Sequence, residues 1–159
     1  MMRQCWLLDL VHVCRNMRPD EVEQTLAFGY ADAYDPDAVA ASLFQSPGPK
    51  VTLVGADGLP VVCGGVMEVA PGVVSGWMVG TVDGWCANWR SITKGTRRFH
   101  DSLFKAGVRR IELVALQSRK DACHWYEKGL KMHREGVRRM YGKNGENAVA
   151  YARVNHERQ

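Results

Sequence analysis

The sequence predicts one α/β domain, a mixed and twisted sheet with helices on both faces. Three observations carry that expectation. β-Branched runs flank an Asp57-Gly58 turn, which is a strong hairpin signal. A long amphipathic stretch ending at Gly107 separates two strand-like runs, Val73 to Val82 and Arg110 to Leu116. A turn at Gly142 to Gly145 then leads into a last strand, Ala148 to Val154.

The elements follow in order. Trp6 to Val13 is apolar enough for a first strand. Arg18, Pro19, Asp20 and Glu21 read as a helix start, with proline in the first turn and acids at the positive end of the helix dipole. That helix reaches about Phe28 and stops at Gly29. Asp35, Pro36 and Asp37 start another, through Leu43 and Phe44, by the same logic. Gln45 to Lys50 is the only linker-like segment and is short enough for a loop. Val51 to Val54 and Leu59 to Val69 form the arms of the Asp57-Gly58 hairpin, and Gly64-Gly65 would permit a bulge or a close backbone approach.

The next helix admits two readings. Trp85, Trp89, Ile92, Thr96, Phe99 and Leu103 recur at steps of three and four, one face of a continuous helix starting near Trp85. The alternative starts it at Lys94, with a loop before it. Arg90, Lys94, Arg97 and Lys105 make a second, basic stripe that Asp101 interrupts.

At 159 residues, one domain can bury roughly two thirds of its unfolded surface. With 46% hydrophobic and 24% charged residues, the composition is that of a soluble globular protein. No apolar run approaches a membrane span of roughly 18 residues or more. Asp9 and His12 interrupt the apolar start, and no small-residue cleavage site follows, so a signal peptide is not expected. The five cysteines show no Cys-x-x-Cys pair, which favours reduced thiols and argues against a metal site. A net charge of +4 is too small to imply a nucleic-acid partner by itself.

Read as strand, short helix carrying a tyrosine, then a closing hairpin, Val108 to Val154 resembles the C-terminal half of the GNAT N-acetyltransferase superfamily. In that family the tyrosine usually lies in an Ala-x-x-x-Tyr-Glu-x-Leu-Gly-Phe segment and protonates the departing thiolate of coenzyme A. Ala122, Tyr126 and Glu127 match it. Gly129 comes one step early, Leu130 replaces the phenylalanine, and Arg119 stands where an asparagine is common. The resemblance implies a GNAT-like sheet in which the strands Val73–Val82 and Arg110–Leu116 are parallel neighbours. It also implies acetyl-CoA as cofactor if the chain is active, with Tyr126 as general acid.

GNAT enzymes bind the pyrophosphate with a Gln/Arg-x-x-Gly-x-Gly/Ala loop, here Arg90 to Gly95. Arg90, Thr93, Lys94, Gly95 and Thr96 are therefore the candidate cofactor-binding residues. Thr93 replaces the first glycine, and its Cβ restricts close approach to phosphate. The strand Ser75 to Asp83 has no carboxylate before its end, which leaves Glu68 and His124 as fallback bases. Trp77, Trp85 and Trp89 lie where they could fill a cofactor cleft.

A narrower likeness joins Trp77 to Thr81, Trp89-Arg90, Lys94 to Phe99 and Met132 to Glu135. These segments are similar to GNAT-like internal virion proteins of short-tailed phages. That resemblance implies a virion-associated or assembly component in the host cytoplasm and virion, with other virion or assembly proteins as partners and no efficient catalysis. The alternatives are an acetyl-CoA-dependent N-acetyltransferase and a module binding nucleic acid or a partner through Arg90, Lys94, Arg97 and Arg98.

Overall fold

Seven strands join one sheet in the order β1-β2-β3-β4-β5-β7-β6 in the computed structural model, which describes residues 1–155. The elements are β1 (Met2–Gln4), α1 (Leu7–Arg15), α2 (Pro19–Ala27), α3 (Pro36–Gln45), β2 (Lys50–Val54), β3 (Pro60–Ala70), β4 (Val73–Gly80), α4 (Val82–Lys105), β5 (Arg110–Leu116), α5 (Lys120–His124), β6 (His133–Arg138) and β7 (Ala148–Val154). A single wide π-turn, Trp125–Gly129, continues α5. No helix of the described residues is long and apolar enough to cross a membrane.

The segment expected as the first strand is helix α1. Trp6 N–H donates to Asp9 Oδ2 at 2.9 Å, which fixes the helix entry, and Arg3 grips the same carboxylate with two bonds of 2.6 and 2.9 Å. Leu10, Val13, Cys14 and Met17 are then buried at helical steps, a period that a short apolar run conceals. The other expected elements form close to their signals. Pro19 opens α2, Asp35 caps α3 through the amides of Asp37 and Ala38, and Gly107 ends α4 with φ of 113°.

Helix α4 starts at Val82 and continues through Lys105, so the continuous-helix reading holds, with one interruption. At Asn88 (φ −128°, ψ 16°) the side-chain amide donates to Gly84 O at 2.9 Å, and the helix kinks there. The kink turns Trp89 out of the expected core stripe, leaving it 51% exposed, while Ile92 and Leu103 stay buried.

The sheet is mixed. β4 and β5 are its parallel pair, joined by α4, and every other neighbouring pair is antiparallel. Their parallel pairing lasts only from Val73↔Arg110 to Ser75↔Glu112, after which the strands separate. A wedge stands at that point, since Leu113 Cδ2 lies 2.6 Å from where a Cβ on Gly76 would be. Glycine at 76 lets the leucine of β5 press against β4 and pry the two strands apart. One core cluster gathers Val66, Val74, Leu103, Phe104, Leu113 and Tyr126 beneath α4 and the π-turn; another gathers Leu10, Val13, Ala40, Cys63 and Val79 beneath α1 and α3. Helices therefore cover both faces, as the sequence predicts.

Candidate active site

The gap between β4 and β5 collects the chemically capable side chains. A cavity of about 180 Å³ lies at its mouth, lined by Glu21 of α2, Met78 of β4, Trp85 and Trp89 of α4, and Arg119 and Tyr126 around α5. Helix α2 lies across the opening. Glu21 Oε2 accepts from Gly80 N–H of β4 at 2.8 Å, and Gln24 Oε1 accepts from Leu116 N–H of β5 at 3.0 Å. Arg119 ties this brace together, donating to Gln24 Oε1 and to Asp20 Oδ2 at 2.8 Å each, and it approaches Glu21 Oε1 to 3.9 Å.

Burial dominates the electrostatics. It pushes the Glu21 carboxyl up to about 7, although the Gly80 amide and Arg119 both oppose the shift. Asp20 goes the other way: burial is its largest single effect and raises it, but the hydrogen bond and charge of Arg119, with Arg18 adding, together hold it below the usual carboxylate range. Tyr126 is 9% exposed, and burial raises its phenol to about 12 while Arg119 opposes. Its ring packs edge-on against Tyr151 at 5.4 Å. A carboxyl that titrates near neutrality beside a buried phenol can in principle accept and return protons.

Tyr126 thus lines the cavity at the mouth of the gap. The phosphate loop is not formed. Thr93, Lys94, Gly95 and Thr96 lie in the regular run of α4 beyond the Asn88 kink, so their amides serve the helix ladder and not an anion, while Arg90 stands in the first turn after that kink. Thr93 Oγ1 donates to Trp89 O and accepts from Trp125 Nε1, both at 2.8 Å. Thr96 Oγ1 donates to Ile92 O. A Cβ on Gly95 would lie 3.1 Å from Leu53 Cδ1, so this glycine brings α4 close to β2. Arg90 and Lys94 are exposed, and the Arg90 guanidinium lies 5.1 Å from the Trp89 ring.

The space between α4 and the π-turn is closed by side chains. Trp85 and Trp125 meet edge to face at 4.9 Å, the Trp125–Thr93 bond crosses the same gap, and Arg97 Nε donates to Gly129 O at 2.5 Å. These contacts tie α4 to the π-turn and narrow the space between them that a coenzyme A arm would need. The residues present do not fit that cofactor in this arrangement. Trp77 lies elsewhere: it packs beside the cluster under α1 and α3, away from Trp85 and Trp89.

The fallback bases are also displaced. Glu68 is exposed near the β3–β4 turn, and His124 is exposed on α5. Glu21, Gln24 and Arg119 were not singled out as site residues from the sequence. Glu21 reads there as an ordinary first-turn acid, and its contact to Gly80 spans 59 positions.

No family model matches the sequence, and none of the curated proteins is similar to it. Solved structures are similar in fold. An N-acetyltransferase from Staphylococcus aureus Mu50 superposes with a TM-score of 0.75 at 11% identity, covering 97% of each chain. A ribosomal-protein-alanine N-acetyltransferase from Brucella melitensis gives 0.74 at 11% identity, over 98% of this chain and 99% of that one. A GNAT phosphinothricin acetyltransferase from Sinorhizobium meliloti, in complex with AcCoA, gives 0.73 at 14% identity, over 99% and 89%. The order of elements, the splayed parallel pair and these superpositions together make this the GNAT fold.

Proposed function

We propose that this chain uses the GNAT fold as a scaffold for binding other molecules, and that it does not transfer acetyl groups efficiently. The observation that carries the reading is the closed gap between α4 and the π-turn. Trp85, Trp125 and Thr93 occupy it with one edge-to-face contact and one hydrogen bond. The narrower resemblance supplies the setting, a virion-associated or assembly component of a short-tailed phage, with virion or assembly proteins as partners. Calorimetric titration with acetyl-CoA tests it. No saturable heat is expected, and a dissociation constant in the low micromolar range overturns the reading.

A second reading, acyl transfer to an amine, is favoured by one observation: Glu21, raised to about 7, lines the same cavity as Tyr126 and Arg119. It would assign Glu21 to remove the amine proton and Tyr126 to return one to the leaving group. Tyr126→Phe separates the two readings. The scaffold reading predicts full function and a folded protein, since no protein group hydrogen-bonds the phenol oxygen among the described residues and one hydroxyl adds little packing. Loss of a measurable acetyl transfer in that variant would establish the enzyme.

A further inference from the structure

Two buried side-chain polar atoms have no hydrogen-bond partner among the described residues, Trp77 Nε1 and His100 Nδ1. Both residues line the same cavity, about 390 Å³ in volume, which runs through the splay past Gly76, with His100 and α4 on one face of the sheet and Trp77, α2 and α3 on the other. It shares only Met78 and Tyr126 with the smaller cavity at the mouth of the gap. A buried group without a partner costs about 1–3 kcal/mol, so two such atoms in one cavity call for a reason.

We propose that this cavity is a binding site for an uncharged, mainly apolar small molecule that carries a hydrogen-bond acceptor. Its volume falls within the roughly 300–1,000 Å³ usual for small-molecule sites. The walls are largely apolar, with Leu53, Val66, Phe99, Leu113 and Leu130 among them, and no Asp, Glu, Lys or Arg lines it. A charged headgroup would be stripped of water there with no counter-ion, which excludes free carboxylates and ammonium groups. The indole N–H is a donor only, so the ligand must offer an acceptor. His100 is 4% exposed. Burial, with Arg153 adding to it, lowers its pKa to about 4, so at neutral pH it presents one N–H and one bare nitrogen and adds no charge. Tyr141 and Met2 are the lining residues most open to solvent, at 47% and 39% exposure.

The test uses the full chain at pH 8 with two probes of the same chain length, methyl octanoate and octanoate. The ester should bind one to one and raise the melting temperature, and the carboxylate should bind at least tenfold more weakly. His100→Phe, which fills part of the cavity and removes the unpartnered nitrogen, should weaken the ester at least tenfold. Should that variant not fold, nitrogen-15 resonances of the histidine imidazoles in the unmodified protein decide. The ester should move the His100 Nδ1 signal and leave the other four histidines in place. Absence of saturable ester binding, equal affinity for the carboxylate, or an unmoved Nδ1 signal overturns the assignment.

Discussion

Glu21 and Gln24, one turn apart on α2, hold the two strands that separate at the sheet's centre. Glu21 takes the amide of Gly80 on β4 and Gln24 takes that of Leu116 on β5. β4 and β5 stop pairing after Ser75 and Glu112, so their facing amides would otherwise be left without acceptors in a partly dry gap. The helix supplies side-chain oxygens in place of a neighbouring strand. Arg119 keeps Gln24 in register by bonding the same oxygen. The fold thus retains its characteristic opening while the outer end of that opening is bridged by protein.

The brace makes stability depend on pH in an unusual direction. Glu21 is raised to about 7 in the folded state, with burial as the main cause. A carboxyl raised on folding contributes stability that is complete below its unfolded pKa, about 4.3, and is lost as pH climbs through 7. Unfolding free energy should therefore fall between pH 5 and pH 8 by on the order of 2–3 kcal/mol. Glu21→Gln keeps an oxygen for Gly80 and should flatten that slope. Urea unfolding at the two pH values checks it. Asp9 and Asp20, held below the usual range against the opposing effect of their burial, act oppositely and at lower pH, outside this window.

Trp125 closes the gap between α4 and the π-turn, so removing it should cost stability and open space together. Trp125→Ala loses the edge contact with Trp85 and the bond to Thr93. The cost should be about 2–4 kcal/mol, at or below the usual range for truncating a large aromatic because the side chain is only half-buried. Acetyl-CoA should then bind at least tenfold more tightly than to the unaltered chain. Unfolding and calorimetry on the same variant test both halves. A destabilised variant that still ignores acetyl-CoA would show that something other than the indoles excludes it.

Most of the fold was legible because its signals are local. The Asp57-Gly58 turn, the Pro19 and Asp35 helix starts and the Gly107 stop each act within a few residues, and each sits at the boundary it announces. Trp6 to Val13 was misread because an eight-residue apolar run fits either period. The deciding contacts, Arg3 and Thr52 on Asp9, come from other elements. The candidate site was half legible. Tyr126 stands in a motif, whereas Glu21 and Gln24 become site residues only when α2 is laid across strands far along the chain. The basic and glycine residues of Arg90 to Thr96 admit two architectures, and the choice depended on partners such as Trp125 and Leu53.

Gly95 tests that choice directly. In a phosphate loop, a larger residue there would act through the ligand. In α4 it acts through packing, because a side chain at 95 meets Leu53 Cδ1. Gly95→Val should lower stability by about 1–3 kcal/mol through overpacking between helix and sheet, with no ligand present. Calorimetric melting of the free protein measures this. An unchanged melting temperature would argue that α4 does not press on β2 at this point.

The basic stripe, finally, divides into two kinds of residue. Arg97 is half-buried and donates to Gly129 O, linking α4 to the π-turn, so Arg97→Glu should remove a charge-assisted bond of about 1.5–3 kcal/mol and place a carboxylate against a carbonyl. Arg90, Lys94 and Arg98 are exposed at steps of four on the same helix and form the face a polyanion or acidic partner would meet. Reversing these three should leave the melting temperature within a few degrees, since surface changes away from packing usually cost about 0.5 kcal/mol or less each. If the face binds nucleic acid, a duplex oligonucleotide should bind with log K falling linearly against log salt. The triple reversal should then abolish binding, while Arg97→Glu weakens it only as far as the fold is lost. An oligonucleotide that binds the triple variant as well as the parent would remove this face from consideration and leave assembly to apolar contacts such as Trp89, Trp6 and Leu8, which are 51%, 58% and 77% exposed.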